Sequence, residues 1–137
     1  MSVLKTILLI DDDQINNFVC ESIISNEKFA QKVISYERAE EALSFLKVCA
    51  LTEPDIFPEL IFLDVNMPGM DGWAFLEEYE KLPEQVTRKC CLFMLSSAVD
   101  RKDIVCAKSH SMVKDFFSKP LSPETLAIIQ EDHMGCA

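Results

Sequence analysis

Along the chain, short apolar segments alternate with stretches whose apolar residues recur at helical spacing, and the order repeats five times. That alternation predicts β/α units built around a parallel sheet. Ile7 to Ile10, Leu60 to Leu63 and Cys91 to Leu95 are continuously apolar, as strands covered on both faces by helices should be, so they are predicted to be central. Lys32 to Tyr36 and Val113 to Phe117 carry Lys32, Ser35, Lys114 and Asp115, which predicts strands at the sheet edges.

Between the strands, Ile15, Val19 and Ile23, with Phe18 and Ser22 beside them, predict one apolar stripe on a first helix that Asp13 would cap. Ala39, Ala42, Leu43 and Leu46 repeat the spacing on a second helix, and Trp73, Leu76 and Glu80 lie along a third that starts after Asp71 and Gly72. A fourth runs from about Arg101 to His110. The fifth begins at Ser122, with Pro123 in its first turn, and continues through Leu126, Ile128 and Ile129. Two connections are long, Cys49 to Glu59 with Pro54 and Pro58, and Leu82 to Lys89 opening with Pro83. No internal repeat breaks the pattern.

Composition narrows the class. The 137 residues suit one α/β domain with a core of its own, and 49% apolar with 26% charged residues is the mixture of a folded chain. A formal charge of -10 repels nucleic acid and anionic lipid, so neither direct DNA binding nor membrane association is expected. The six cysteines, Cys20, Cys49, Cys90, Cys91, Cys106 and Cys136, show no metal-ligand spacing and are expected to be free, mostly buried thiols. The opening MSVLKTILLIDDD is too short for a membrane span and has no cleavage site, which predicts a cytoplasmic protein.

The chemistry gathers at strand ends. If the second strand lies outside the first, strands one and three are neighbours where the order reverses, and ligands bind there beyond the carboxyl ends of the strands. Asp11 and Asp12 follow the first strand, Asp64 the third, Ser96 the fourth and Lys119 the fifth. Three carboxylates at one crevice repel unless a cation lies among them, and an oxygen-only donor set selects a hard ion such as Mg²⁺ with coordination sites left for a phosphoryl group. Lys119 would supply a point charge for that group, Ser96 a hydroxyl donor, and the backbone N–H groups after Asp64 further donors.

In these residues the sequence resembles the receiver domain of two-component response regulators, in its single-domain, chemotaxis-like form. The resemblance rests on ILLIDDD at 7 to 13, LIFLDVNMPGMDG at 60 to 72, MLSSA at 94 to 98 and FFSKP at 116 to 120, in family order and spacing. It implies a flavodoxin-like, doubly wound sheet of order 2-1-3-4-5 with five helices, an order that chemotaxis receivers share. It implies that residues 1–137 are one receiver without an output domain, since the 17 residues after Pro120 hold only a final helix and a short tail. By resemblance Asp64 is the phosphoacceptor, taking a phosphoryl group from a histidine kinase or a phosphotransfer protein. Asp12 binds Mg²⁺ directly, Asp11 through water, Asp64 through a second carboxylate oxygen and Asn66 through its backbone carbonyl. Lys119 pairs with Asp64, while Ser96 and Phe116 form the switch that exposes a surface to a downstream protein target. The Lys119-Pro120 bond matches one that is usually cis in the family. The kinase would dock near Asn16, Asn17 and Phe18, and the fourth helix, fifth strand and fifth helix form the exchanging face. Two departures are visible: Phe116 has no hydroxyl where many relatives have Tyr, and SHSMVKD lacks the glycine often found before the fifth strand.

Each residue also has a plainer role. Asp11 to Asp13 could be a helix N-terminus stabilised by its dipole, Lys119 a solvated lysine, Phe116 a core aromatic. His110 and His133 read as surface residues. Two other functions compete with a self-phosphorylating, otherwise non-enzymatic phosphoacceptor. A pseudo-receiver would bind partners without phosphorylation, against the intact set of Asp11, Asp12, Asp64, Ser96 and Lys119. A phosphatase working through an aspartyl intermediate would need an acid two residues after the nucleophile, where Asn66 stands.

Overall fold

A computed structural model describes residues 4–97 and 101–133, Asp103 and His133 by backbone alone. Five strands, β1 (Leu4–Ile10), β2 (Ala30–Tyr36), β3 (Leu60–Leu63), β4 (Cys91–Ser96) and β5 (Val113–Ser118), form one sheet in the order β2-β1-β3-β4-β5. All pairings are parallel, so the edge and centre assignments follow the polarity pattern of the strands.

Helices α1 (Gln14–Asn26), α2 (Ala39–Thr52), α3 (Gly72–Tyr79), α4 (Glu84–Thr87), α5 (Arg101–Ser109) and α6 (Pro123–His133) cover the sheet, with a 3-10 turn at Pro54–Ile56. Six helices are present among the described residues where five are expected. The additional one, α4, is a single turn inside the connection after Leu82, too short to carry a helical period in sequence.

Alternation along the strands divides the core. Leu8, Ile10, Ile61, Leu63, Leu92 and Met94 pack on one face with the buried residues of α2 and α3. Ile7, Leu9, Leu60, Phe62, Phe93 and Leu95 pack on the other with Cys20 and Ile24 of α1 and with Leu126 and Ile129 of α6. Each central strand is thereby shielded from water on both sides.

Asp13 caps α1, accepting from the N–H groups of Ile15 (3.0 Å) and Asn16 (3.3 Å), and Ser122 caps α6 by accepting from Thr125. The inward stripe of α1 differs from expectation. Asn17, Cys20 and Ile24 are buried, whereas Ile15 is 76% and Phe18 68% exposed. On α3 the buried side chains are Phe75, Leu76 and Tyr79, and Glu80 stands beyond the helix as an exposed C-cap.

The turn before β5 needs no glycine: the N–H groups of Met112 and Val113 bond back to Nδ1 and O of His110. His110 is half-buried rather than a plain surface residue, its Nε2 lying 3.2 Å from Glu80. Cys20, Cys49 and Cys90 are free and buried, and Cys106 is free and exposed. Cys91 is disulfide-bonded, against the expectation of free thiols. Cys136, Ala98 of the MLSSA block and the side chain of His133 lie outside the described residues. No helix among the described residues is long and apolar enough to cross a membrane.

Candidate functional site

The parallel ladder runs one residue past three strands and delivers the functional side chains to one rim. Asp11 N–H bonds to Tyr36 O (3.0 Å), Asp64 N–H to Ile10 O (2.9 Å) and Lys119 N–H to Ser96 O (3.0 Å). Each residue that follows a strand therefore starts from a backbone position fixed by the sheet. The Lys119-Pro120 bond is cis, as the resemblance implies.

Asp11, Asp12 and Asp64 each present a carboxylate oxygen within 4.8 Å of the others. Asp11 and Asp64 are buried and Asp12 is exposed. Lys119 reaches the same point, its Nζ 2.5 Å from Asp11 Oδ2 and 3.7 Å from Asp64 Oδ2. The expected pairing with Asp64 is present but is the longer of the two. Asp11 is already well bonded: its Oδ1 accepts from Asp13 N–H (2.9 Å), and its Oδ2 also accepts from Asn16 Nδ2 (2.8 Å). Such a carboxylate is poorly placed to give an oxygen to a metal directly, whereas solvent-facing Asp12 retains its coordinating capacity.

Burial, followed by the charge of Asp11, pushes the Asp64 carboxyl up to about 6, and Lys119 and the Asn66 backbone N–H pull the other way without cancelling the rise. For Lys119 burial opposes the charged amine, yet the hydrogen bond and charge of Asp11, with the charge of Asp64, hold its pKa above the ordinary lysine value. One cation thus faces three acids. The donor set is all oxygen and carries excess negative charge, which fits a hard divalent ion.

Ser96 Oγ is buried and has no hydrogen-bond partner among the described residues. A buried hydroxyl left unbonded costs stability, and this one stands on the strand adjacent to Asp64. Phe116 lies on the same face of the sheet because of a β-bulge. The register with β4 shifts between Leu92 and Phe93, so Val113 pairs with Leu92 and Phe116 with Met94. Residues three apart would otherwise point to opposite faces. Phe116 is half-buried against the cluster that contains Met94, while Phe117 packs on the other side against Phe93.

Glycines shape the loop from Asp64 to α3. Gly69 has φ +77, and a Cβ on Gly72 would come within 2.7 Å of Asp64 O and 3.0 Å of Val65 Cα. Asp71 caps α3 through Ala74 N–H (2.9 Å), which leaves Asp64 free of capping duty, as expected.

Sequence reasoning missed three supporting side chains. Asn16 holds the Asp11 carboxylate, and Asn17, buried, donates from Nδ2 to Asp11 O (2.9 Å). Asn17 therefore belongs to the frame of the site and not to an accessible surface. Glu40, on α2, is held below the ordinary carboxylate value by its own backbone N–H, by Arg38 and by the backbone N–H of Met70, and its carboxylate lies against Gly69 in the loop beyond Asp64. Five-residue spacing from Asp11 placed Asn16 on the first turn of α1, a usable signal; nothing local marks Glu40.

Comparison with known proteins agrees with this geometry. The response regulator receiver domain matches the chain over residues 7–130. A two-component response regulator of Cytophaga hutchinsonii superposes with a TM-score of 0.87 at 28% identity, covering 95% of this chain and 96% of that one. A response regulator receiver protein of Dyadobacter fermentans gives 0.82 at 29% identity, covering 93% and 96%. Among curated sequences, histidine kinase 2 of Arabidopsis thaliana is 27% identical over 132 residues, 96% of this chain and 10% of that protein. The chain thus spans about a tenth of that relative.

Proposed function

The chain belongs to the response regulator receiver family, and on that premise we propose that it is a phosphoacceptor that takes its phosphoryl group onto Asp64 from a phosphohistidine. A carboxylate oxygen of Asp64 attacks phosphorus in line, the P–N bond breaks, and its electron pair returns to the imidazole of the donor. The observation that carries this reading is the convergence of Asp11, Asp12 and Asp64 within 4.8 Å, with Lys119 across from them and the unbonded Ser96 hydroxyl on the next strand.

Asp12, a second oxygen of Asp64 and the backbone carbonyl of Asn66 would hold Mg²⁺, with Asp11 acting through water; when bound, the ion supplies positive charge to the carboxylates and to the phosphoryl oxygens. Lys119 orients the reacting group by charge and donates to a phosphoryl oxygen once the carboxylate is esterified. Ser96 donates its hydroxyl to another phosphoryl oxygen. Phe116, held on the Ser96 face by the bulge, then moves toward the space behind Ser96 and alters the α5, β5 and α6 surface. Lacking a hydroxyl, it switches by shape.

A histidine kinase or phosphotransfer protein is the proposed donor, docking on α1 through exposed Ile15 and Phe18, and a protein target is the proposed reader of the altered surface. Incubation with Mg²⁺ and acetyl phosphate, followed by intact mass measurement, tests the reading. One added phosphate that disappears in Asp64→Asn is expected. An unmodified chain points to a pseudo-receiver, and rapid donor consumption without adduct points to a phosphatase.

A further inference from the structure

At the end of the sheet opposite the phosphoacceptor, a cleft of about 860 Å³ opens between the start of β1 and β2, the connection around Pro54–Ile56, and the turn of α4. Thr6 lines it, five strand residues from Asp11 and therefore about 17 Å away. Its lining is mixed: Ile34 from the sheet, Phe45 from α2, Phe57 from the connection and Val86 from α4 supply apolar surface, and Thr6 and Gln31 lie beside them. Exposed Ile56 stands at its edge.

Three amines, on Lys5, Lys32 and Lys89, line the same space. Among the described residues none of them enters an ion pair. Two acids, Asp55 and Glu59, line it as well, Glu59 Oε1 accepting from the Lys5 backbone N–H (2.5 Å), so three cations face two anions. In a chain of net charge -10 this is a local excess of cation over anion, beside an apolar wall.

We propose that this cleft is a second binding site, for a small anion with an aromatic or branched-aliphatic body. The cleft is open to solvent and large enough to seat a small molecule against one wall, and ligand sites combine apolar surface with a few placed polar groups. The anionic head meets the lysines, and the body displaces water from partly exposed Ile34 and Phe45 and from exposed Ile56. The net charge of -10 disfavours anions over the surface as a whole, and the three lysines make this cleft locally more favourable.

The probe is 8-anilinonaphthalene-1-sulfonate, an aromatic anion, titrated at low salt into the whole chain. Saturable fluorescence at one probe per chain is expected, with amide shifts at Lys32, Ile34, Phe57 and Lys89 and none at Asp64 or Lys119. The double variant Lys32→Glu, Lys89→Glu should bind about tenfold more weakly, equivalent to ~1.4 kcal/mol, and Ile56→Glu should weaken binding without touching a lysine. Lys47→Glu, outside the cleft, should bind normally. Melting temperatures of the variants separate lost binding from lost fold. Absent saturation, shifts confined to another surface, undiminished binding by the double variant, or tighter competition by a glutamate-rich peptide would each overturn the proposal. None of these outcomes depends on whether Asp64 is phosphorylated.

Discussion

Replacing Asp64 with Asn in metal-free buffer is expected to stabilise the fold, by an amount that grows with pH. Asp64 is 5% exposed, and burial together with Asp11 raises its pKa from 3.8 to about 6. A carboxyl with a raised folded-state value contributes its stability fully below 3.8, where it is protonated in both states. That contribution is lost as pH rises through about 6, because the folded state must then ionise a buried group. The shift corresponds to about 3 kcal/mol at most above this window. Asn is nearly isosteric and stays neutral. Urea titrations with EDTA at pH 4 and pH 7.5 should therefore give nearly equal stabilities at the lower pH and a more stable Asp64→Asn at the higher. The corresponding rise in melting temperature is on the order of 10 °C. Adding Mg²⁺ at pH 7.5 should narrow the gap by stabilising the wild type through binding. A pH-independent gap, or a less stable variant at pH 7.5, would show that Asp64 is not penalised by its surroundings, and the electrostatic case for the site would fail.

Three other outcomes follow from the same geometry. Gly72→Ala should destabilise by about 1–3 kcal/mol in urea titration, since its Cβ would lie 2.7 Å from Asp64 O. Asp13→Ala should cost about 1 kcal/mol by removing the cap that accepts from Ile15 and Asn16 N–H, read in the same titration. Lys119→Met removes the cation that lowers the Asp64 pKa, so carboxyl ¹³C titration should place Asp64 above its wild-type value. Its phosphorylation by acetyl phosphate should slow at least about tenfold, a rise of ~1.4 kcal/mol in barrier.

The architecture and the members of the acidic cluster were legible in the chain because both follow from local pattern. Continuous apolar segments mark buried strands, and a polar residue directly after such a segment must emerge at the sheet rim, so Asp11, Asp64 and Ser96 could be placed together before any coordinates. The inward phase of α1 could not. Ile15, Phe18, Val19 and Ile23 offer one apolar stripe, but the helix is turned so that Asn17 bonds Asp11 O and Cys20 and Ile24 enter the core. A polar side chain tied to a buried carbonyl outranks the apolar periodicity there.

What the sequence alone determined was the order of the units, the edge and centre strands, and the identity of the charged groups at the rim, all set by residue-to-residue alternation. Tertiary structure decided how those groups partner and face. Lys119 Nζ lies closer to Asp11 than to Asp64 although the ladder sets its backbone beside Ser96, two strands from Asp64 and three from Asp11. Phe116 shares the Ser96 face because one bulge shifts the β5 register. Glu40 meets Gly69 across separate elements. Each depends on distances between strands and helices remote in the chain, which no local pattern encodes.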